Sequence, residues 1–211
     1  MNQLGLPHTG DPAALVARGR RLEYLTIVWN CLESLLAIGA GWLAGSIALV
    51  GFGVDSVIES LSGLALLWRL QDGERGEQRE QAALRFVGVS FLLLAAYVAF
   101  DALHSLLRRE PPEASYAGIA LALLSLAVMP LLARAKRRVA AQLNSRALAA
   151  DSKQTDLCAW LSAILLGGLL LNALLGWWWA DPVAALVMVP IIAREGIQAL
   201  RGRACADCGC H

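Results

Sequence analysis

An aspartate and a glutamate, Asp55 and Glu59, lie four residues apart in an apolar stretch, Gly45–Trp68, that is long enough to cross a membrane. A spacing of four places both carboxylates on the same face of an α-helix, one turn apart. Carboxylates are costly to place in the hydrocarbon region of a bilayer, and they generally mark an ion pathway, a proton relay or a metal site. No lysine or arginine lies within this stretch to neutralise them. We therefore interpret the pair as part of a cation site.

The composition of the whole chain is that of a membrane protein. Hydrophobic residues make up 57% of its 211 residues, which is more than an ordinary soluble domain contains. A membrane-spanning helix needs about 20 mostly apolar residues. Six segments are candidates, of which the fourth is short for a span: Leu22–Ala44, Ser46–Trp68, Phe86–Leu107, Ala117–Leu132, Ala150–Gly176 and Pro182–Leu200. The predicted fold is therefore an all-α bundle of six transmembrane helices, without a cleaved signal peptide.

Basic residues are distributed unevenly between the two predicted sides of the membrane. One side has only Arg108 and Arg109, whereas the connection between spans four and five alone carries Arg134, Lys136, Arg137, Arg138 and Arg146. The positive-inside rule then places both termini in the cytoplasm, which requires an even number of spans. The predicted organisation is a cytoplasmic N-terminal segment (1–21), a six-helix transmembrane domain (22–200) and a cytoplasmic tail rich in cysteine and histidine (201–211).

The beginning of span five carries a second group of polar residues. With about 100° per residue, Asp151 at 0° places Gln154 near about −60°, Cys158 near about −20° and Asp156 near about 140°. Asp151, Gln154 and Cys158 thus form one stripe, from which Asp156 points away. Stripes on spans two and five could converge into a metal site of carboxylates, an amide oxygen and a thiolate. The alternative is that such residues cap helices or form interhelical hydrogen bonds, and Glu33 in span one suits either interpretation.

The C-terminus contains a further set of potential ligands. Four soft donors lie within seven residues: Cys205, Cys208, Cys210 and His211. This spacing suits Zn²⁺ or Cu(I), and thiols in a cytoplasmic tail are kept reduced. We interpret the tail as a possible metal-capture site; the alternative is a tail whose cysteines have no role.

Taken together, these features resemble the cation diffusion facilitator family of divalent-metal transporters. The resemblance is carried by GWLAGSIAL at Gly41–Leu49, DSVIE at Asp55–Glu59 and ADSKQTDLC at Ala150–Cys158. Members have six spans, with DxxxD on the second and HxxxD on the fifth, and these four residues bind Zn²⁺ or a related ion. The resemblance implies that Asp55 and Glu59 are ligands, and it aligns the family histidine with Gln154 and the last aspartate with Cys158.

Both alignments on span five are departures from the family, and they affect the expected chemistry. A glutamine oxygen is a poorer zinc ligand than imidazole, and glutamine cannot exchange protons near neutral pH. A thiolate at Cys158 favours softer ions, whereas Asp151, as a possible fifth donor, favours harder ones. The metal is therefore left open among Zn, Cd, Co and similar ions. The family also usually has a cytoplasmic domain after span six, so the resemblance implies a short form that lacks it.

The expected function is efflux of a divalent transition metal across the inner membrane, by exchange with protons, in a homodimer. We expect no enzymatic activity, no prosthetic group and no nucleic acid partner. One alternative is a non-transporting metal sensor or accessory subunit with the same fold. Another is a membrane enzyme that uses paired carboxylates as acid and base, for which no further motif is present.

Overall fold

The computed structural model describes residues 12–69, 76–109, 112–143 and 145–201. These residues form six α-helices and no β-strand: α1 (Pro12–Ala44), α2 (Ile47–Arg69), α3 (Gly76–Arg108), α4 (Tyr116–Leu143), α5 (Arg146–Leu175) and α6 (Ala180–Leu200). Each helix is long and apolar enough to cross a membrane. The predicted all-α fold with six spans is thus confirmed.

The helices pack mainly as three pairs, α1 with α2, α3 with α6, and α4 with α5. Helix α2 also contacts α3, α5 and α6, which places it at the centre of the bundle. Large apolar side chains such as Trp42, Leu43 and Leu107 point outward, as expected for a surface that faces lipid. Buried polar residues are correspondingly concentrated between the helices, where charged groups in membrane proteins are expected to lie.

The turn between α1 and α2 is fixed by a residue from the last helix. Gly45 adopts a left-handed conformation (φ 66°), which glycine tolerates without steric penalty. Asp181 of α6 then accepts hydrogen bonds from Ser46 Oγ and from the backbone N–H groups of Ile47 (3.0 Å) and Ala48 (3.4 Å). These contacts satisfy unpaired donors at the start of α2 and tie it to α6.

The helix that contains span four is longer than the predicted span. Helix α4 continues beyond Leu132 to Leu143, so the basic segment assigned to a connection is helical. Lys136, in this segment, is fully buried. Similarly, α3 begins at Gly76, ten residues before the predicted start of span three at Phe86. A hydropathy pattern detects only the part of a helix that matches the hydrocarbon region, whereas alanine, lysine and arginine extend helices beyond it.

Candidate cation site

Asp55 and Glu59 lie inside the bundle on α2, with 5% and 3% of their surface exposed. The hydroxyl of Thr155 on α5 donates a hydrogen bond to Glu59 Oε1 over 3.0 Å. The other oxygen of the same carboxylate, Oε2, is buried and has no hydrogen-bond partner among the described residues. Both acids are buried, and the contact with Thr155, which is not one of the predicted stripe residues, shows that α5 lies against Glu59.

Glu33 of α1 is buried in the same part of the bundle, against α2 and α5. Its side chain is 1% exposed, and Oε2 accepts a hydrogen bond from Ser56 Oγ, 2.8 Å away on α2. The thiol of Cys158 on α5 contacts the same oxygen, with Sγ at 3.9 Å. Glu33 therefore connects three helices, which the sequence pattern could not establish.

The stripe predicted on α5 is present, but its members have different partners. Cys158 is buried, and its thiol contacts Glu33 Oε2 over 3.9 Å. Gln154 lies one turn earlier and is half-buried, and its Oε1 accepts a hydrogen bond from Ser62 Oγ (3.2 Å). The structure thus brings Cys158 into contact with the carboxylate of Glu33, whereas the amide oxygen of Gln154 is directed to a serine.

Asp156, which the helical wheel placed on the opposite face of α5, lies away from the carboxylates as expected. Its carboxylate forms an ion pair with the exposed guanidinium of Arg137, at 2.6 Å. The wheel prediction for this residue is therefore confirmed.

Asp151 belongs to a buried ionic cluster that sequence reasoning missed. The ammonium group of Lys136 donates hydrogen bonds to Asp151 Oδ2, to Glu23 Oε2 (3.2 Å) and to Thr155 Oγ1 (3.4 Å). Because Thr155 also contacts Glu59, its hydroxyl links this cluster to the carboxylates of α2. A lysine within a basic segment carried no signal that distinguished it from its exposed neighbours.

These donors are close to one another but do not form a coordination shell. Among the residues that the structure describes, no three histidine, cysteine, aspartate or glutamate side chains are grouped closely enough to hold one metal ion. Hydroxyl and thiol groups lie between the acids instead. Coordination would therefore require side-chain rotations. The predicted tail ligands, Cys205, Cys208, Cys210 and His211, lie outside the described residues.

Comparisons with known proteins agree with the resemblance seen in the sequence. The family model described as the cation efflux transmembrane domain matches residues 24–202. The chain is 29% identical over 160 residues to an uncharacterized transporter of Synechocystis, an alignment covering 72% of the chain and 52% of that relative. It is 27% identical over 196 residues to an uncharacterized transporter of Methanocaldococcus jannaschii, covering 85% and 69%. It is 30% identical over 132 residues to Transmembrane protein 163 of Xenopus laevis, covering 62% and 47%. Two of these alignments thus span only about half of the relative's length.

Proposed function

Because the chain belongs to the cation efflux family, we propose that this multi-pass membrane protein moves a divalent transition-metal cation out of the cytoplasm. The observation that carries the proposal is the burial of Asp55 and Glu59 on the central helix, with Glu59 Oε2 lacking a hydrogen-bond partner. Buried carboxylates of this kind are costly unless a cation or a proton compensates them. A cation passing between α2 and α5 would supply that compensation.

The proposed ligands are Asp55, Glu59 and Cys158. Gln154 and Asp151 are weaker candidates, because Gln154 contacts Ser62 and Asp151 contacts an ammonium group. Carboxylate oxygens and one thiolate form a mixed set that suits Zn²⁺, Cd²⁺ or Co²⁺. In this proposal the cysteines and histidine of the tail would capture the metal before it enters the bundle.

The proposed transport cycle uses two arrangements of the bundle. A hydrated cation enters from the end of the bundle where α1 and α5 begin. The positive-inside rule assigns this end to the cytoplasmic side of the inner membrane. The carboxylates replace its water, and the cation leaves on the other side when the helices rearrange. Protons are the proposed counter-ion, carried by the carboxylates because glutamine replaces the family histidine. Two copies of the chain are expected to form the working unit.

Metal efflux from proteoliposomes tests this function, with Zn²⁺ and Cd²⁺ measured in turn. We expect Asp55→Ala to abolish efflux because it removes a ligand from the permeation path. Asp156→Ala is the matched control, since it removes a carboxylate that is paired with exposed Arg137 and lies away from the site. Unchanged efflux in Asp55→Ala would refute the assignment. Metal binding without flux in the unsubstituted protein would instead favour a sensor or accessory subunit, an alternative suggested by Gln154.

A further inference from the structure

We propose that Glu33 is a ligand of the transported cation, so that the site is formed by α1, α2 and α5 rather than by α2 and α5 alone. This inference rests on the proposed function and identifies another residue of the same site. Glu33 supplies a third carboxylate in place of the amide of Gln154. The proposed ligands are then Glu33, Asp55, Glu59 and the thiol of Cys158.

The position of Glu33 supports this role. Its Oε2 atom is the meeting point of Ser56 Oγ at 2.8 Å and Cys158 Sγ at 3.9 Å. Ser56 directly follows Asp55 in α2, and Cys158 is a buried thiol of α5. Glu33 therefore contacts residues of both other helices, and side-chain rotations would exchange these contacts for a shared cation.

The unused bonding capacity of Glu33 points to a ligand independently of its position. Oε1 is buried and forms no hydrogen bond of normal geometry among the described residues; Ser125 and Trp29 are further donors near this carboxylate, and the indole N–H of Trp29 is itself unpaired there. No ion pair to Glu33 is present in the part of the chain that the structure describes. A buried carboxylate with neither a counter-charge nor a complete set of donors is strongly disfavoured unless a proton or cation binds it.

Glu23 provides a comparison on the same helix. It is equally buried, and its Oε1 atom also lacks a hydrogen bond, but its Oε2 atom is paired with Lys136 at 3.2 Å. The two glutamates thus differ mainly in that Glu23 is paired with the ammonium group of Lys136, whereas Glu33 has no cationic partner among the described residues. Glu23 is compensated by the protein itself, whereas Glu33 is left to be compensated by the substrate.

The resulting ligand set differs from one that contains imidazole or an amide. Three carboxylates and a thiol place more negative charge around the ion, which favours a dication over a monovalent ion. The thiol must lose its proton when it binds metal, and this proton would be released as the cation enters. Because the ligands lie on three helices, movement of α1 relative to α5 would change the coordination and so aid release.

Equilibrium binding of Cd²⁺ to the full-length protein in lipid nanodiscs tests the inference. The background carries Cys205→Ser, Cys208→Ser, Cys210→Ser and His211→Ala, so that the tail does not contribute. Binding is followed by the ultraviolet charge-transfer absorption of a cadmium–thiolate bond. Cys158→Ser should remove this band, which would assign the signal to the site inside the bundle.

In this background we expect Glu33→Gln to weaken Cd²⁺ binding by at least about tenfold, the range seen when groups that support a metal site are removed. Asp55→Asn should weaken binding as well, and Glu23→Gln, the matched control on α1, should change the dissociation constant by less than about threefold. Thermal unfolding without metal checks that each variant is folded, and Glu33→Asp, which keeps the charge, should restore part of the affinity.

Two results would overturn the inference, and they are distinguishable. If Asp55→Asn weakens binding but Glu33→Gln does not, Glu33 is not a ligand, while the proposed function stands. If the background protein shows no band that depends on Cys158, the proposed site itself fails, and the role of Glu33 fails with it.

Discussion

Replacement of Lys136 by methionine should destabilise the bundle more than any other single change to a basic residue among those described. The lysine side chain is completely buried, and its ammonium group contacts Glu23, Asp151 and Thr155. Methionine has a similar length and fills the same space, so the change removes the charge with little loss of packing. It leaves two buried carboxylates without their counter-ion.

The magnitude follows from the burial of all three groups. At the 3.2 Å separation of Lys136 and Glu23, and with an effective dielectric constant of about 20, the Coulomb attraction is about 5 kcal/mol. Breaking a buried ion pair by removing one partner costs about 3–5 kcal/mol, and we expect Lys136→Met to fall in this range. The triple variant Glu23→Gln, Lys136→Met, Asp151→Asn should recover most of this loss, since it removes all three charges of this cluster together.

The neighbouring residue offers a matched control. Arg137 also forms an ion pair, with Asp156, but the two side chains are 51% and 28% exposed. An exposed pair contributes about 0–1 kcal/mol, so Arg137→Met should be nearly neutral. Reversible unfolding by SDS in mixed micelles, with a chelator present, measures the free energies. If Lys136→Met and Arg137→Met lose equal stability, the buried ionic cluster does not stabilise the packing of the helices.

Two further predictions concern the packing of α6 against its neighbours. A Cβ atom on Gly168 would lie 2.6 Å from Ala184 Cβ, so Gly168→Ala should cost about 1–3 kcal/mol in the same unfolding assay. The adjacent Gly167→Ala, where nothing lies within 4 Å, should be neutral or stabilising, and equal losses would contradict close helix packing at this point. Asp181→Ala leaves the donors at the start of α2 unpaired and should cost about 2–3 kcal/mol. Asp181→Asn, which keeps an acceptor oxygen, should lose less, and equal losses in the two variants would show that the hydrogen bonds are not what matters.

The fold was accessible from the sequence because hydropathy is a strong signal in a membrane protein. All six spans were predicted, and the main error was at helix ends. Helix α4 continues for eleven residues beyond its predicted end at Leu132, through a segment whose charges suggested a connection. Charge counts indicate which residues avoid lipid, but a residue that avoids lipid can face either solvent or the interior of the bundle. Lys136 does the latter.

The site was predicted only in part, for a related reason. Spacing on one helix established that Asp55 and Glu59 share a face and that Asp156 does not face the same way as Cys158. It gave no information about rotation between helices, which determines that Glu33 and Thr155 face the acids while Gln154 contacts Ser62. A single acid such as Glu33 has no spacing pattern of its own. Its role depends on contacts with helices that are distant in sequence.

The buried charged residues indicate where in the bundle a cation would bind. Among the described residues six carboxylates are buried, and Lys136 is the one buried basic side chain. Asp181 is satisfied by three donors at the start of α2, and Glu23 and Asp151 share the lysine. The remaining three, Glu33, Asp55 and Glu59, form no ion pair among these residues, and Glu33 contacts the thiol of Cys158. A cation that stabilises the bundle electrostatically is therefore expected beside this thiol, since elsewhere the protein already compensates its own charge.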